Sequence, residues 1–123
     1  GPGSKVYGVI GVLVQAFYET EYLFSVGAGN FNPPPKVKSA VIRLVRREIP
    51  LVDDELWPVF KQVVKLSFGQ RRKMLRNSLK SLLPAEALQE ETFQLRPEQI
   101  ELEQFVAIAK QEANYRRQDQ SDQ

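Results

Sequence analysis

Cysteine and histidine are both absent from the 123 residues of the chain. Without cysteine the protein can form neither disulfides nor thiolate metal sites, and this composition predicts a location in the reducing cytoplasm. Without histidine it lacks the commonest metal ligand and the commonest general base. The two absences exclude most hydrolase and metalloenzyme sites, and we predict no metal site.

Long apolar runs are also missing. The most apolar stretch, residues 6–17, contains two glycines and a glutamine. It is shorter than the roughly 20 residues that a helix needs to cross a bilayer. The N-terminus shows no succession of charged, apolar and small residues of the kind found in secretory signals. We therefore expect no membrane partner.

The net charge of +2 is unevenly distributed. Residues 1–55 contain six basic and six acidic side chains, whereas residues from 84 onward contain four basic and nine acidic ones. Between them, residues 56–83 contain no acid and seven bases: Lys61, Lys65, Arg71, Arg72, Lys73, Arg76 and Lys80. A block of one sign predicts an anionic partner.

The first part of the chain has mixed periodicity. Apolar residues at helical spacing over residues 6–17 predict a largely buried helix. Residues 22–26 and 40–46 are rich in β-branched and aromatic side chains and predict two adjacent antiparallel strands. The connection between them contains three consecutive prolines and is too long for a tight hairpin. Loops of that length are usually functional.

After Pro50 the pattern is that of helices alone. Four helical segments are predicted: one capped by Asp53 or Asp54 with Pro58 in its first turn, one over residues 69–82, a short one over residues 85–89, and one that opens at Arg96. The polar stretch from residue 114 onward is predicted to fray.

The proline-rich connection places Phe31 before the three prolines and Lys36 directly after them. Consecutive prolines fix φ near −65° and hold the backbone extended. An aromatic ring on a stiff spacer beside a cation is a platform on which a base can stack while its phosphate is held nearby. The alternative is that the prolines only stiffen the connection and Phe31 is a core residue, and composition alone favours that alternative.

The segment over residues 69–82 has two predicted faces. An apolar face contains Phe68, Leu75, Leu79 and Leu82, and a basic face contains Arg72, Arg76 and Lys80. Like charges one helical turn apart repel unless a polyanion neutralises them, and Asn77 and Ser78 add uncharged donors for phosphate or sugar. The alternative is an ordinary solvated helix face.

Three segments resemble successive signatures of one family. They are Ser4-Lys5-Val6-Tyr7-Gly8, the string FNPPPKVKSAVIRL over residues 31–44, and the string FGQRRKMLRNSL over residues 68–79. In order and spacing they are similar to the KsgA/RsmA ribosomal RNA adenine dimethyltransferases, and the resemblance runs from about residue 4 to residue 109. The second and third strings are highly specific when they occur together.

This resemblance implies both an activity and a fold. Members of the family transfer methyl groups from S-adenosylmethionine to the exocyclic amines of two adjacent adenines near the 3′ end of small-subunit rRNA. The implied fold class is α+β: the last helix and two antiparallel strands of a Rossmann-like methyltransferase sheet over residues 1–47, then a small four-helix C-terminal domain over residues 51–115. Residues 116–123 form a polar tail.

The family's cofactor loop, its ribose-binding acid and its catalytic N-[LI]-P-Y motif would all precede Gly1. We therefore expect a fragment that has no catalytic residue, binds no S-adenosylmethionine and is inactive by itself. A strand pair without the rest of its sheet exposes an edge and an apolar face. We expect this part either to pair with another copy of the chain or to belong to a proteolysed enzyme.

The resemblance also implies roles for individual residues. Phe31 resembles the aromatic that stacks on the flipped target adenine. A second group resembles the helical-domain surface that docks on small-subunit rRNA or its 30S precursor, and it consists of Arg71, Arg72, Lys73, Arg76 and Asn77. The expected RNA-binding residues are Lys36, Lys38, Arg71, Arg72, Lys73, Arg76, Asn77 and Lys80. The alternative function is a noncatalytic RNA-binding or ribosome-assembly module.

Overall fold

A computed structural model of the chain describes residues 8–26 and 39–121. Its elements are α1 (Val9–Gln15), β1 (Tyr18–Val26), β2 (Ser39–Arg46), α2 (Trp57–Gly69), α3 (Leu75–Ser78) and α4 (Leu102–Ser121). Three short 3₁₀ helices, Ala87–Gln89, Glu91–Gln94 and Pro97–Gln99, lie between α3 and α4. The predicted α+β fold class is confirmed. A helix and an antiparallel strand pair precede a helical part.

Strands β1 and β2 pair antiparallel, as predicted, with Tyr18 opposite Arg46. Strand β1 begins earlier than its apolar stretch predicts. The reason is that Glu21 lies opposite Arg43 and forms an ion pair with it. The pair is exposed, so a charged residue at this position is compatible with the strand. The register shifts after Tyr22, which marks a β-bulge.

Helix α1 is shorter and more exposed than its apolar sequence predicts. Val12 and Ala16 are fully buried, but Ile10 is 77% exposed. The prediction of a largely buried helix is therefore wrong for the described part of the chain. An apolar sequence shows that a helix can be buried but not that other elements cover it. Here α2 and the strand pair contact only part of the surface of α1.

One hydrophobic core joins the two parts of the chain. Helices α2 and α4 meet where the rings of Phe68 and Phe105 lie 5.6 Å apart. At the other end of α2, the rings of Trp57 and Phe17 meet edge to face with their centroids 4.9 Å apart, and Val12 of α1 is buried in the same core. The predicted division into residues 1–47 and 51–115 stays a prediction.

The connector between β2 and α2 is hydrogen-bonded to the end of α1. The Arg47 amide donates to the Phe17 carbonyl at 2.8 Å, and the Leu51 amide donates to the Ala16 carbonyl at 2.9 Å. The Arg47 Nε donates to the carbonyl of Gln15 at 2.9 Å. These three bonds fix the angle at which the chain enters the helical part.

The start of α2 follows its sequence signals. The Asp53 carboxylate accepts a hydrogen bond from the Leu56 amide at 2.7 Å in the turn that leads into α2, whereas the N-cap of the helix itself is Leu56, which has no side-chain cap. Pro58 lies in the first turn of the helix, as predicted.

The predicted helix over residues 69–82 is wrong. Gln70 leaves the helical conformation with φ −135° and ψ 63°, and Met74 is extended. The helix resumes only at Leu75, whose amide donates to the Leu95 carbonyl at 2.8 Å. This bond to a distant segment holds the chain in a turn where helical periodicity alone would have continued α2.

The last two predicted helical segments differ from the structure in helix type and in where they begin. The short segment over residues 85–89 is a 3₁₀ helix, Ala87–Gln89, and the residues after Arg96 form another, Pro97–Gln99, so that α4 begins only at Leu102. The Arg96 amide donates to Gln99 Oε1 at 2.8 Å and closes that turn before α4 can start.

Helix α4 continues through Ser121, so the fraying predicted from residue 114 onward is wrong as far as the structure describes the chain. Arg116 explains the extra length. It forms an ion pair with the buried Glu112 one turn earlier, and its Nη2 donates to Gln62 Oε1 of α2 at 2.7 Å. Polar composition predicted a free end because this contact to α2 is not local.

No helix of the described residues is both long and apolar enough to cross a membrane.

Candidate RNA-binding surface

The turn between α2 and α3, together with α3 and the residue pair after it, presents a group of polar side chains to solvent. We call this group the basic surface. It consists of Arg71, Arg72, Lys73, Arg76, Asn77 and Lys80, all of which are exposed. The Lys73 amide donates to the Gln70 carbonyl at 2.9 Å and closes the turn.

The basic surface is not the straight stripe that the sequence predicts. Arg72 lies in the turn before α3, Arg76 lies within α3, and Lys80 lies in the turn that follows it. The prediction that these three side chains align on one helix is therefore wrong. All three side chains are still exposed, and they lie within nine consecutive residues of the chain.

The apolar side of the same segment behaves as predicted. Phe68, Leu75 and Leu79 are buried in the core. Ser78 is only 8% exposed, and its hydroxyl has no hydrogen-bond partner among the described residues. Its predicted role as a donor to phosphate or sugar is wrong, because it faces the core, whereas Asn77 is exposed and can fill that role.

The charge of the basic surface is not neutralised within the described residues. The ion pairs found there are Arg43–Glu21, Arg47–Glu19 and Arg116–Glu112, and none involves the basic surface. Elsewhere in the described residues, three arginines have carboxylate partners. A group of neighbouring cations without such partners has the arrangement that a phosphate backbone neutralises.

Arg71 differs from the other members of the basic surface. Its guanidinium carbon lies 5.3 Å from the centroid of the Phe68 ring, a cation–π contact. A Cβ atom on Gly8 would lie only 3.3 Å from its Nη2. Arg71 thus reaches from the turn after α2 to the beginning of α1. The sequence did not predict this contact, although both residues belong to strings that resemble the family.

Two surface depressions meet at Arg71. One, of about 530 Å³, lies over the turn from Phe68 to Lys73. The other, of about 540 Å³, is an apolar groove between α1 and the sheet whose wall includes Ile10 and Leu44. No residue that lines this groove has a carboxylate for the hydroxyls of a ribose. Among the described residues, the groove therefore offers no acidic partner for the ribose of S-adenosylmethionine.

Three of the predicted site residues lie outside the described residues. They are Phe31, Lys36 and Lys38, all in the proline-rich connection. Their predicted contacts with a base and with phosphate stay predictions. Among the described residues, no group of three or more acidic, histidine or cysteine side chains is placed to hold a metal ion.

A sequence profile of the ribosomal RNA adenine dimethylase family matches residues 1–115. The chain belongs to this family. The match includes both strands, α1 and every residue of the basic surface, so the geometry described above is that of a family member.

Two curated relatives show how much of such a protein the chain represents. It is 50% identical over 115 residues to the ribosomal RNA small subunit methyltransferase A of Bacteroides thetaiotaomicron, which is 90% of this chain and 42% of that protein. It is 53% identical over 114 residues to the protein of the same name from Parabacteroides distasonis, which is 88% of this chain and 41% of that protein. The chain thus spans about two fifths of the length of these relatives.

Two solved structures have a similar fold. The crystal structure of the 23S rRNA methyltransferase ErmE aligns with a TM-score of 0.59 and 26% identity over 81% of this chain and 45% of that one. A dimethyladenosine transferase from Plasmodium falciparum aligns with a TM-score of 0.59 over 86% of this chain and 48% of that one. Its 18% identity makes this second likeness one of fold alone.

Ser78 provides a test of which side of α3 faces the core. Ser78→Ala removes a buried hydroxyl that has no partner among the described residues, so the free energy of unfolding should stay the same or rise by up to about 1 kcal/mol. Affinity for a fragment from the 3′ end of small-subunit rRNA should not change. Urea denaturation and a filter-binding titration measure the two quantities.

Ser67→Ala is the matched control, because the buried Ser67 hydroxyl donates to the Val63 carbonyl at 2.7 Å. The free energy of unfolding should be lower for Ser67→Ala than for Ser78→Ala by about 0.5–1.5 kcal/mol, because that is the net contribution of such a hydrogen bond. A fall in rRNA affinity with Ser78→Ala would show that this hydroxyl faces the RNA after all.

Proposed function

We propose that this chain is the rRNA-engaging part of an rRNA adenine N6,N6-dimethyltransferase. The enzyme would act on two adjacent adenines near the 3′ end of small-subunit rRNA, with the 30S precursor as partner and S-adenosylmethionine as methyl donor. The observation that carries the proposal is the basic surface: a set of exposed cations without acidic partners in a member of the ribosomal RNA adenine dimethylase family. The chain itself supplies rRNA and target-base contacts and is inactive alone.

The arrangement of the basic surface supports contact with a phosphate backbone. Arg72, Lys73 and Arg76 project from a turn and a short helix that are anchored beneath by buried leucines. The backbone that carries these cations is therefore already held in place before binding, and arginine can hold a phosphate through two parallel hydrogen bonds. Such contacts fix the position of a protein on RNA without reading its sequence.

Reading of the target base would fall to Phe31. A base inside a stack cannot present its exocyclic amine to a methyl donor, so the adenine has to be extruded first. Stacking of an extruded base on an aromatic ring contributes roughly 1–3 kcal/mol. Phe31 belongs to the connection between β1 and β2, and Lys36 and Lys38 would hold the adjoining phosphates.

The double charge reversal Arg72→Glu with Arg76→Glu tests the docking surface. Both side chains are exposed, so helix content measured by circular dichroism should be unchanged. Affinity for the rRNA fragment should fall steeply. The dependence of log K on log salt should flatten by roughly 1.4–1.8, because two phosphates fewer are neutralised at about 0.7–0.9 each.

The matched control is Arg116→Glu with Arg117→Glu, which reverses two charges at the far end of α4. Arg116 already pairs with Glu112, so this change should cost some stability but leave the salt slope intact. If both double variants changed the salt slope equally, the effect would come from net charge and not from the position of the basic surface. That result would contradict the docking role.

Phe31 is tested by methyl transfer in a chimera. The part of this chain that aligns with the Bacteroides thetaiotaomicron relative, 90% of its length, replaces the corresponding segment of that protein, to which it is 50% identical. The chimera should methylate rRNA, and this chain alone should not. Phe31→Ala in the chimera should lower kcat and spare rRNA affinity, because stacking acts only after extrusion, whereas Arg72→Glu with Arg76→Glu should raise KM.

Two results would argue against this division of roles. A loss of rRNA affinity with Phe31→Ala would make that ring a docking residue. An inactive chimera that binds rRNA normally would favour the noncatalytic RNA-binding module as the function of this chain.

We also propose self-association through the sheet. In the described part of the chain the sheet has two strands, and Ile42 and Leu44 on β2 are 42% and 50% exposed. Exposed strand edges and apolar faces favour pairing with another copy. Light scattering should therefore detect a dimer or larger species at high concentration, and Leu44→Lys should shift it toward the monomer. A monodisperse monomer at every concentration would contradict this.

A further inference from the structure

We infer that Arg71 is a positioning residue which fixes the basic surface against α1, rather than one of the cations that neutralise phosphate. This inference rests on the proposed rRNA docking and separates one residue from the rest of that surface. Arg71 would set where the docking charges lie relative to the strand pair whose connection contains Phe31.

The geometry around the guanidinium of Arg71 distinguishes it from its neighbours. The group stacks on Phe68 at 5.3 Å, and Phe68 is itself buried and packs on Phe105 of α4 at 5.6 Å. It therefore rests on a fixed support. No ring contact or ion pair is found for Arg72, Lys73 or Arg76 in the described residues, so their charges are available to a ligand.

Gly8 is the second residue that lies close to the guanidinium. Its φ of −112° and ψ of −170° are an ordinary extended conformation that any residue adopts, so the backbone does not need glycine here. What glycine provides is space, because a Cβ atom would lie 3.3 Å from Arg71 Nη2. A methyl group would require a small shift of the guanidinium, and a larger side chain would displace it from Phe68.

The two residues next to the Arg71 guanidinium belong to different parts of the molecule. Phe68 is in the last turn of α2, whereas Gly8 immediately precedes α1. Arg71 also lines the groove between α1 and the sheet, together with Ile42 and Leu44. A guanidinium held between these elements couples the position of the turn, and hence of the basic surface, to the position of α1 and the strands.

Arginine suits this role better than lysine. Its flat, weakly hydrated guanidinium can lie along a ring and beside a backbone at the same time. The ammonium of lysine keeps the charge but is compact and strongly hydrated. Substitution by lysine therefore separates the two roles: a phosphate contact survives it in large part, and a stacked positioning contact does not.

The test compares Arg71→Gln and Arg71→Lys with Arg72→Gln and Arg72→Lys in the 123-residue chain. Each variant is titrated with the same rRNA 3′-end fragment at several salt concentrations. Arg72→Gln should flatten the salt slope by about 0.7–0.9, and Arg72→Lys should restore it. Arg71→Gln and Arg71→Lys should both weaken binding by roughly two- to fivefold, the range of an exposed cation–π contact, and leave the slope at its wild-type value.

A double-mutant cycle adds a readout that does not depend on charge. Gly8→Leu should weaken binding to the same extent as Arg71→Gln, and the two changes together should be no worse than either alone, because each removes the same contact. Gly8→Leu should also leave the salt slope unchanged. Fully additive losses would show that Gly8 and Arg71 act independently and would overturn the inference.

The remaining outcomes are separable. If Arg71→Gln flattens the slope and Arg71→Lys restores both slope and affinity, Arg71 is a phosphate contact and the inference fails, while rRNA docking stands. If Arg72→Gln changes neither affinity nor slope, the proposed docking itself fails. Loss of helix content in Arg71→Gln by circular dichroism would overturn the inference as well, since the residue would then serve the fold.

Discussion

The contact between Phe68 and Phe105 determines where the basic surface lies. It holds the last turn of α2 against α4 at the point where the helix ends, so the chain has to turn away from the core at Gln70. The side chains that follow are displayed outward, and Leu75 brings the chain back to the core one turn later. Arg71 stands directly on this aromatic support. The position of the cations is thus a consequence of how two helices pack.

The turn after α2 keeps the charges of the basic surface away from the core, and no carboxylate among the described residues neutralises them. The ion pairs of the described residues lie elsewhere. Glu21 pairs with Arg43, Glu19 pairs with Arg47, and Glu112 pairs with Arg116. Mutual repulsion in the basic surface is tolerated because its side chains are exposed to water and counterions. Release of those counterions to solvent is then available as a driving force when a polyanion binds.

Local signals predicted the elements that depend on local chemistry. Two β-branched segments form the antiparallel pair, Asp53 holds the turn that leads into α2, and Pro58 lies in the first turn of that helix. The chain's cations were predicted to be exposed between residues 71 and 80, and they are. The family strings carried the fold class, because composition alone does not distinguish one small α+β chain from another.

The errors share a physical cause, which is contact between distant segments. The apolar spacing of Phe68, Leu75 and Leu79 fits one long helix, and only the bond from the Leu75 amide to the Leu95 carbonyl shows that the helix is interrupted. The length of α4 depends on Gln62 in the same way. The link from Arg71 to Gly8 joins residues far apart in the chain, and no periodicity within either segment reports it.

The hydrogen bonds of the connector have a consequence for how the molecule opens. The amides of Arg47 and Leu51 are held by carbonyls at the end of α1, yet they belong to the segment that leads into α2. Neither amide can reach solvent unless α1 separates from that segment. Their deuterium uptake would therefore report the separation of α1 from the connector at these two residues.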